Sequence, residues 1–120
     1  MVNCSPKGTN SLRVLGARKI AYLDLTGSGV ETIAHVKKNG RMVIMMCAFE
    51  GPPKIVRFHG KGEILWKGST EYEALIGKFT ECLGIRSIIV LNVDRISNSC
   101  PYSIPLYNYE GERDILNKWA

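Results

Sequence analysis

A chain of 120 residues with 45% hydrophobic and 22% charged residues has the size and make-up of an ordinary globular domain, which excludes disordered, collagen-like and coiled-coil classes. No apolar run approaches a membrane span, and the first residues lack the charged and apolar regions of a secretory leader, so the expectation is one cytosolic (cytoplasmic) domain over residues 1–120. The net charge of +5 favours an anionic partner, yet cations spread along the chain do not choose between a nucleic acid, an acidic protein and an anionic cofactor.

Leu12 to Leu15 reads as a short strand and Arg18 to Leu25 as a longer one, with Gly16 between them. The stretch from Thr26 to Arg41 then reads as a strand end, a tight loop and a capped helix. Gly27 and Gly29 let the backbone turn and approach a ligand, and the first helical N–H groups lack intrahelical partners, so a phosphate can dock there. Ser28-x-x-Glu31 equally fits a capping box, in which the two side chains satisfy those same groups. Both readings stand at this level. The helix runs from about Gly29 to Lys38, with Val30, Ile33, Ala34 and the stem of Lys37 as a narrow apolar face and Asn39-Gly40 as its terminator.

An apolar strand follows from Arg41 to Phe49, and Glu50-Gly-Pro-Pro53 breaks it into a hairpin return. Ile55 to Trp66 alternates Val56 and Phe58 against Arg57 and His59, which suits a strand with one polar face. Gly60 and Gly62 inside it point to a bulge, a bend or a close approach. Thr70 to Leu83 reads as a helix capped by Ser69 or Thr70, with Tyr72, Leu75, Ile76 and Phe79 on one side. Ser87 to Val93 is continuously apolar and implies a strand buried on both faces. Ser99 to Gly111 is a loop rich in tyrosine and proline, leading to a short helical tail at about Glu112 to Trp119. Cys4, Cys47, Cys82 and Cys100 show no metal-ligand spacing with His35 or His59, so no metal is expected. Strands with two interposed helices make an α+β fold or a mainly β small barrel with helices over its ends.

Ser5-Pro-Lys-Gly8, Tyr22-Leu-Asp-Leu-Thr-Gly-Ser-Gly29, Glu31-Thr32, Asn39-Gly-Arg41, Phe49-Glu-Gly-Pro-Pro53, Pro105-Leu-Tyr107 and Gly111-Glu-Arg-Asp114, taken in order, cover nearly the whole chain. Together they resemble the pyridoxamine 5′-phosphate oxidase-like family of FMN-binding split β-barrels. The resemblance implies a split barrel with two to three helices, here without the family's first strand and shortened at its C-terminus. It also implies a homodimer holding FMN in clefts between subunits, and flavin-mediated hydride or electron transfer on a small molecule. Carried over position by position, Ser5 and Lys7 on a first strand, Thr26, Ser28 and Thr32 around the loop, and Arg41 and Arg57 become cofactor contacts. Tyr102, Arg113 and Trp119 become contacts from the second subunit. No catalytic side chain is implied, because the flavin ring carries the chemistry.

Deazaflavin and haem stand as alternative cofactors under the same resemblance. The competing function is a non-catalytic flavin-binding or dimeric interaction module that has lost activity. Nucleic-acid binding is disfavoured, because the tyrosines cluster in a terminal loop away from most lysines.

Overall fold

A computed structural model describes residues 3–27, 29–80, 82–115 and 118; Ser28 and Trp119, both expected cofactor contacts, lie outside that set. The elements are β1 (Leu12–Gly16), β2 (Lys19–Leu25), α1 (Val30–Asn39), β3 (Arg41–Cys47), β4 (Ile55–Trp66), α2 (Thr70–Leu75) with a 3-10 turn at Ile76–Lys78, and β5 (Ile85–Asn98). The strands form one antiparallel five-stranded sheet in the order β1-β2-β5-β4-β3. Strand β5 therefore lies in the middle, which is why its apolar run is continuous. Ile88, Ile89, Val90 and Leu91 are all buried, each against one face or the other.

Period-two alternation divides the apolar side chains between two layers. On the inner face Ile20, Tyr22, Ile89, Leu91 and Val93 meet Ile33 of α1, with half-buried Leu12, Met42, Ile44, Phe58 and Ile64 around them. On the outer face Ala21, Leu23, Ile88 and Val90 are covered by Tyr72 and Leu75 of α2 and by Ile76 and Phe79 beyond it. Each such aliphatic or aromatic side chain contributes roughly 1.5–3 kcal/mol on burial. The outer cover reaches only the β2–β5 side, so the outer face of β3 and of much of β4 is left open.

Two glycines in β4 explain how the layers fit. The ladder to β5 shifts register between His59 and Gly60, and a Cβ at Gly60 would stand 1.9 Å from the Asn92 carbonyl oxygen. At Gly62 a Cβ would meet Val36 Cγ2 at 2.9 Å, so the helix packs directly over the strand. The expected bulge is at the first glycine, and the close approach at the second is by α1.

Some local expectations change. Helix α1 has Gly29 at its N-cap position; the capping box expected on Ser28 falls on a residue outside the described set. Its buried residues are Ile33 and Val36; Val30 is half exposed, because the helix leans on β4 through Val36 rather than along Val30. Ser69 caps α2 by accepting the Tyr72 N–H at 3.2 Å, but the helix ends at Leu75 and the chain is extended by Phe79. Gly77 disfavours further helix, and turning there lets Phe79 reach the outer core. Residues 3–8 have no ladder partner, so Ser5 and Lys7 stand on an irregular segment rather than a strand. The tail turns helical only after Asp114, whose carbonyl accepts the Lys118 N–H at 3.2 Å, and residues 116, 117, 119 and 120 lie outside the described set.

Candidate functional site

The loop that joins β2 to α1 is organised by an ion pair between a buried carboxylate and a half-buried guanidinium. Asp24, 1% exposed, occupies an inner position near the end of β2 and faces Ser87 in the register. Arg86 donates to it through Nε at 2.7 Å and Nη2 at 2.9 Å, and the Ser87 hydroxyl adds a third bond at 2.8 Å. Both carboxylate oxygens are thus occupied, which offsets the cost of taking the charge out of water. The remaining Arg86 nitrogen donates to the Gly27 carbonyl at 3.4 Å, and the Thr26 N–H donates to Gly84 at 2.9 Å. The guanidinium thereby fixes the loop that the sequence marked as an anion site.

The irregular N-terminal segment lies across this corner. Lys7 Nζ donates to the Ser5 hydroxyl at 2.8 Å and stands 5.1 Å from the centre of the Tyr22 ring. Asn3 Nδ2 donates to the Thr32 hydroxyl at 2.8 Å. Burial, with a smaller contribution from the Asp24 charge, pushes the Tyr22 phenol up to about 12, against a lowering hydrogen bond with Thr32. Burial also pushes the Lys7 ammonium down, while Asp24 opposes that shift and Arg86 adds to it. Ser5, Lys7 and Thr32 are therefore brought together, with Thr26 exposed on the loop beside them.

Arg41 and Arg57 are elsewhere. Both lie on the outer face, opposite in sense to Met42, Ile44 and Phe58, which point into the inner core. The register sets Lys19, Asn92, Lys61 and Arg41 in one row across β2, β5, β4 and β3. At about 4.8 Å per strand the row is roughly 14 Å wide. The next rows hold Arg95, His59 and Val43, then Ser97, Arg57 and Met45. Arg57 Nη1 donates to the Ser99 hydroxyl at 2.9 Å. His59 Nε2 stands 2.9 Å from the Ser97 hydroxyl oxygen and 3.4 Å from Arg95 Nη2, so the imidazole joins both to the row. Among the described residues the ion pairs are Arg86–Asp24 and Lys118–Asp114, so no carboxylate pairs with a cation of this face. Val43 and Met45 beside them are 50% and 56% exposed.

The two sets do not meet within one chain. Helix α1 is ten residues long, so about 15 Å of helix separates the Gly29 end from the Arg41 end. Tyr102 and Arg113 are exposed on the segment that follows β5. Sequence reasoning missed Asp24, Arg86, Lys61 and Arg95 and dismissed His59. The signal for Asp24 was a lone carboxylate inside an apolar strand, which needs a partner when buried. Its partner is 62 residues away, so only the β2–β5 pairing reveals it.

No protein-family model matches the chain. Over 109 residues, 88% of its length, it is 36% identical to the pyridoxamine 5′-phosphate oxidase family protein ustO of Aspergillus flavus. The chain belongs to the pyridoxamine 5′-phosphate oxidase-like family. It spans 44% of that relative's length. A 1.70 Å crystal structure of HupZ from Group A Streptococcus is similar at a TM-score of 0.56 and 25% identity, covering 73% of this chain and 68% of that one. The five-stranded antiparallel sheet with two helices found here is consistent with the family's split-barrel architecture. No helix among the described residues is long and apolar enough to cross a membrane.

Proposed function

We propose that this member of the pyridoxamine 5′-phosphate oxidase-like family binds FMN between two copies of itself and uses it for hydride or electron transfer on a small molecule. The observation that carries the reading is the outer face of β3, β4 and β5, where Arg41, Arg57, Lys61 and Arg95 gather without a paired carboxylate among the described residues. A phosphate monoester supplies the missing counter-charge, and two guanidiniums beside the Ser97 and Ser99 hydroxyls suit its oxygens.

The inner set fits the uncharged part of the same ligand. Its strongest charges, Asp24 and Arg86, already satisfy each other, and what remains is Lys7, Ser5, Thr32 and Asn3 as neutral or partly desolvated hydrogen-bonding groups. Because α1 holds the two sets apart in one chain, a ligand that touches both takes them from different copies. Half-exposed Val43 and Met45 give the second copy apolar surface to cover. Once bound, the isoalloxazine ring accepts or donates the hydride, so the protein supplies position and charge and no nucleophilic side chain.

Titration of the purified protein with FMN, followed by quenching of flavin fluorescence and by light scattering, tests the reading. Saturable quenching by a dimer, followed by flavin-dependent oxidation of a nicotinamide reductant, is the expected result. A monomer indifferent to FMN would remove it, and a dimer that binds FMN without turnover would leave only the binding half.

A further inference from the structure

After β5 the chain crosses the molecule. The Tyr107 N–H donates to the Phe49 carbonyl at 2.9 Å, with the two rings 5.4 Å apart, and the Tyr109 N–H donates to Glu50 Oε1 at 2.8 Å. These contacts tie the segment to the turn after edge strand β3. Three residues on, Glu112 Oε1 accepts the Thr9 N–H at 3.0 Å, the Thr9 hydroxyl, and the Tyr109 hydroxyl at 3.1 Å. Its second oxygen stands 3.1 Å from where a Cβ on Gly8 would be, so the carboxylate lies directly against the Gly8-Thr9 backbone. The segment thus spans from the β3 side of the sheet to the residues just before β1, the opposite edge.

Residues 3–8 have no ladder to hold them, and the fixed points around Lys7 are few. Asn3 bonds Thr32 on one side, and Ser11 bonds the Gly8 carbonyl on the other. The carboxylate of Glu112 adds the charge-assisted tie from outside the segment, one residue beyond Gly8. The charges that act on the Lys7 ammonium are Asp24 and Arg86, so Glu112 works through the backbone and not through its own field at Nζ.

We infer that Glu112 is a positioning residue for Lys7: by fixing the Gly8-Thr9 backbone it sets where the ammonium stands over Tyr22, and it couples order in the segment after β5 to occupancy of the flavin site. The inference rests on Lys7 contacting the flavin as proposed above. Linkage makes the coupling reciprocal, so bound flavin also steadies residues 105–112.

The test is a double-mutant cycle in FMN affinity with a ligand-free arm. E112A removes the acceptor for both Thr9 donors and is expected to weaken FMN binding about threefold, as much as removing Lys7 itself. E112Q keeps an acceptor oxygen and recovers most of that loss. In a K7A background, E112A has less than about a twofold further effect, because the residue through which it acts is gone. Without ligand, amide hydrogen exchange at residues 3–10 speeds up in E112A and stays near wild type in E112Q. Equal losses from E112A with and without Lys7 would overturn the inference, as would unchanged exchange at residues 3–10 in E112A. Wild-type protein that ignores FMN would overturn the functional reading and the coupling with it, while the exchange arm still decides whether the tie itself exists.

Discussion

At the inner corner the half-buried Arg86 closes over the buried Asp24, every carboxylate oxygen occupied; across the sheet Arg41, Arg57 and Arg95 present cations with no carboxylate paired to them among the described residues. The first arrangement is already neutral and holds a loop in shape. The second has unspent positive charge on a rigid sheet, next to apolar side chains that water covers poorly. The lesson concerns how to read a basic protein: a cation with a buried partner reports on folding, and one without a partner reports on binding.

Removing Arg86 should break the comparison most severely. R86A leaves a buried carboxylate with one hydroxyl partner, and unfolding in urea is expected to show a loss of about 3–5 kcal/mol. A loss below about 1 kcal/mol would mean that the pair does not hold the corner together. Tyr22 tests the same corner by pH. Its phenol titrates near 10 when unfolded and at about 12 when folded, so the native state holds the proton longer and stability is lost as pH rises from about 10 to 12. The loss should reach on the order of 2–3 kcal/mol, and Y22F should flatten that alkaline limb. A limb of equal depth in Y22F would assign it to other groups.

The outer face should behave in the opposite way. R57A is expected to leave the unfolding free energy from urea titration within about 0.5 kcal/mol of wild type while weakening FMN about tenfold, since a charge-assisted bond is lost from the ligand and not from the fold. If stability falls and affinity does not, the two faces have been assigned the wrong way round. K7A should be the mildest, about threefold in FMN affinity, because the exposed Lys7 ammonium already has the Ser5 hydroxyl as a partner.

Much of the fold was legible because period-two alternation and glycine breaks are local signals. Val56 and Phe58 against Arg57 and His59 placed β4 correctly, Gly60 marked the bulge, and the run at Ser87 to Val93 marked the central strand. What failed depended on distant contacts. The helix expected to reach Leu83 stops at Leu75, because Phe79 is drawn into the outer core. Ser5-Pro-Lys-Gly8 looked like a strand beginning, yet Lys7 stands over the Tyr22 ring and the flanking Asn3 and Thr9 are held by Thr32 and Glu112, with no ladder. For the site, motif resemblance grouped Ser5, Lys7 and Thr32 as cofactor contacts, and the three lie at one corner of the fold. It could not show that Arg41 and Arg57 face the other way, since that follows from the register of β3 on β4. The row through Lys19, Asn92, Lys61 and Arg41 draws on four strands and exists only once the sheet is assembled.

The central claim is that the outer cations hold a phosphate, and comparing FMN with riboflavin isolates that group. Wild-type protein should bind FMN at least about tenfold more tightly than riboflavin, and R57A/R95A should bring the two affinities together by weakening FMN alone. Equal affinities in the wild type, or a preference that survives in the double variant, would contradict the account.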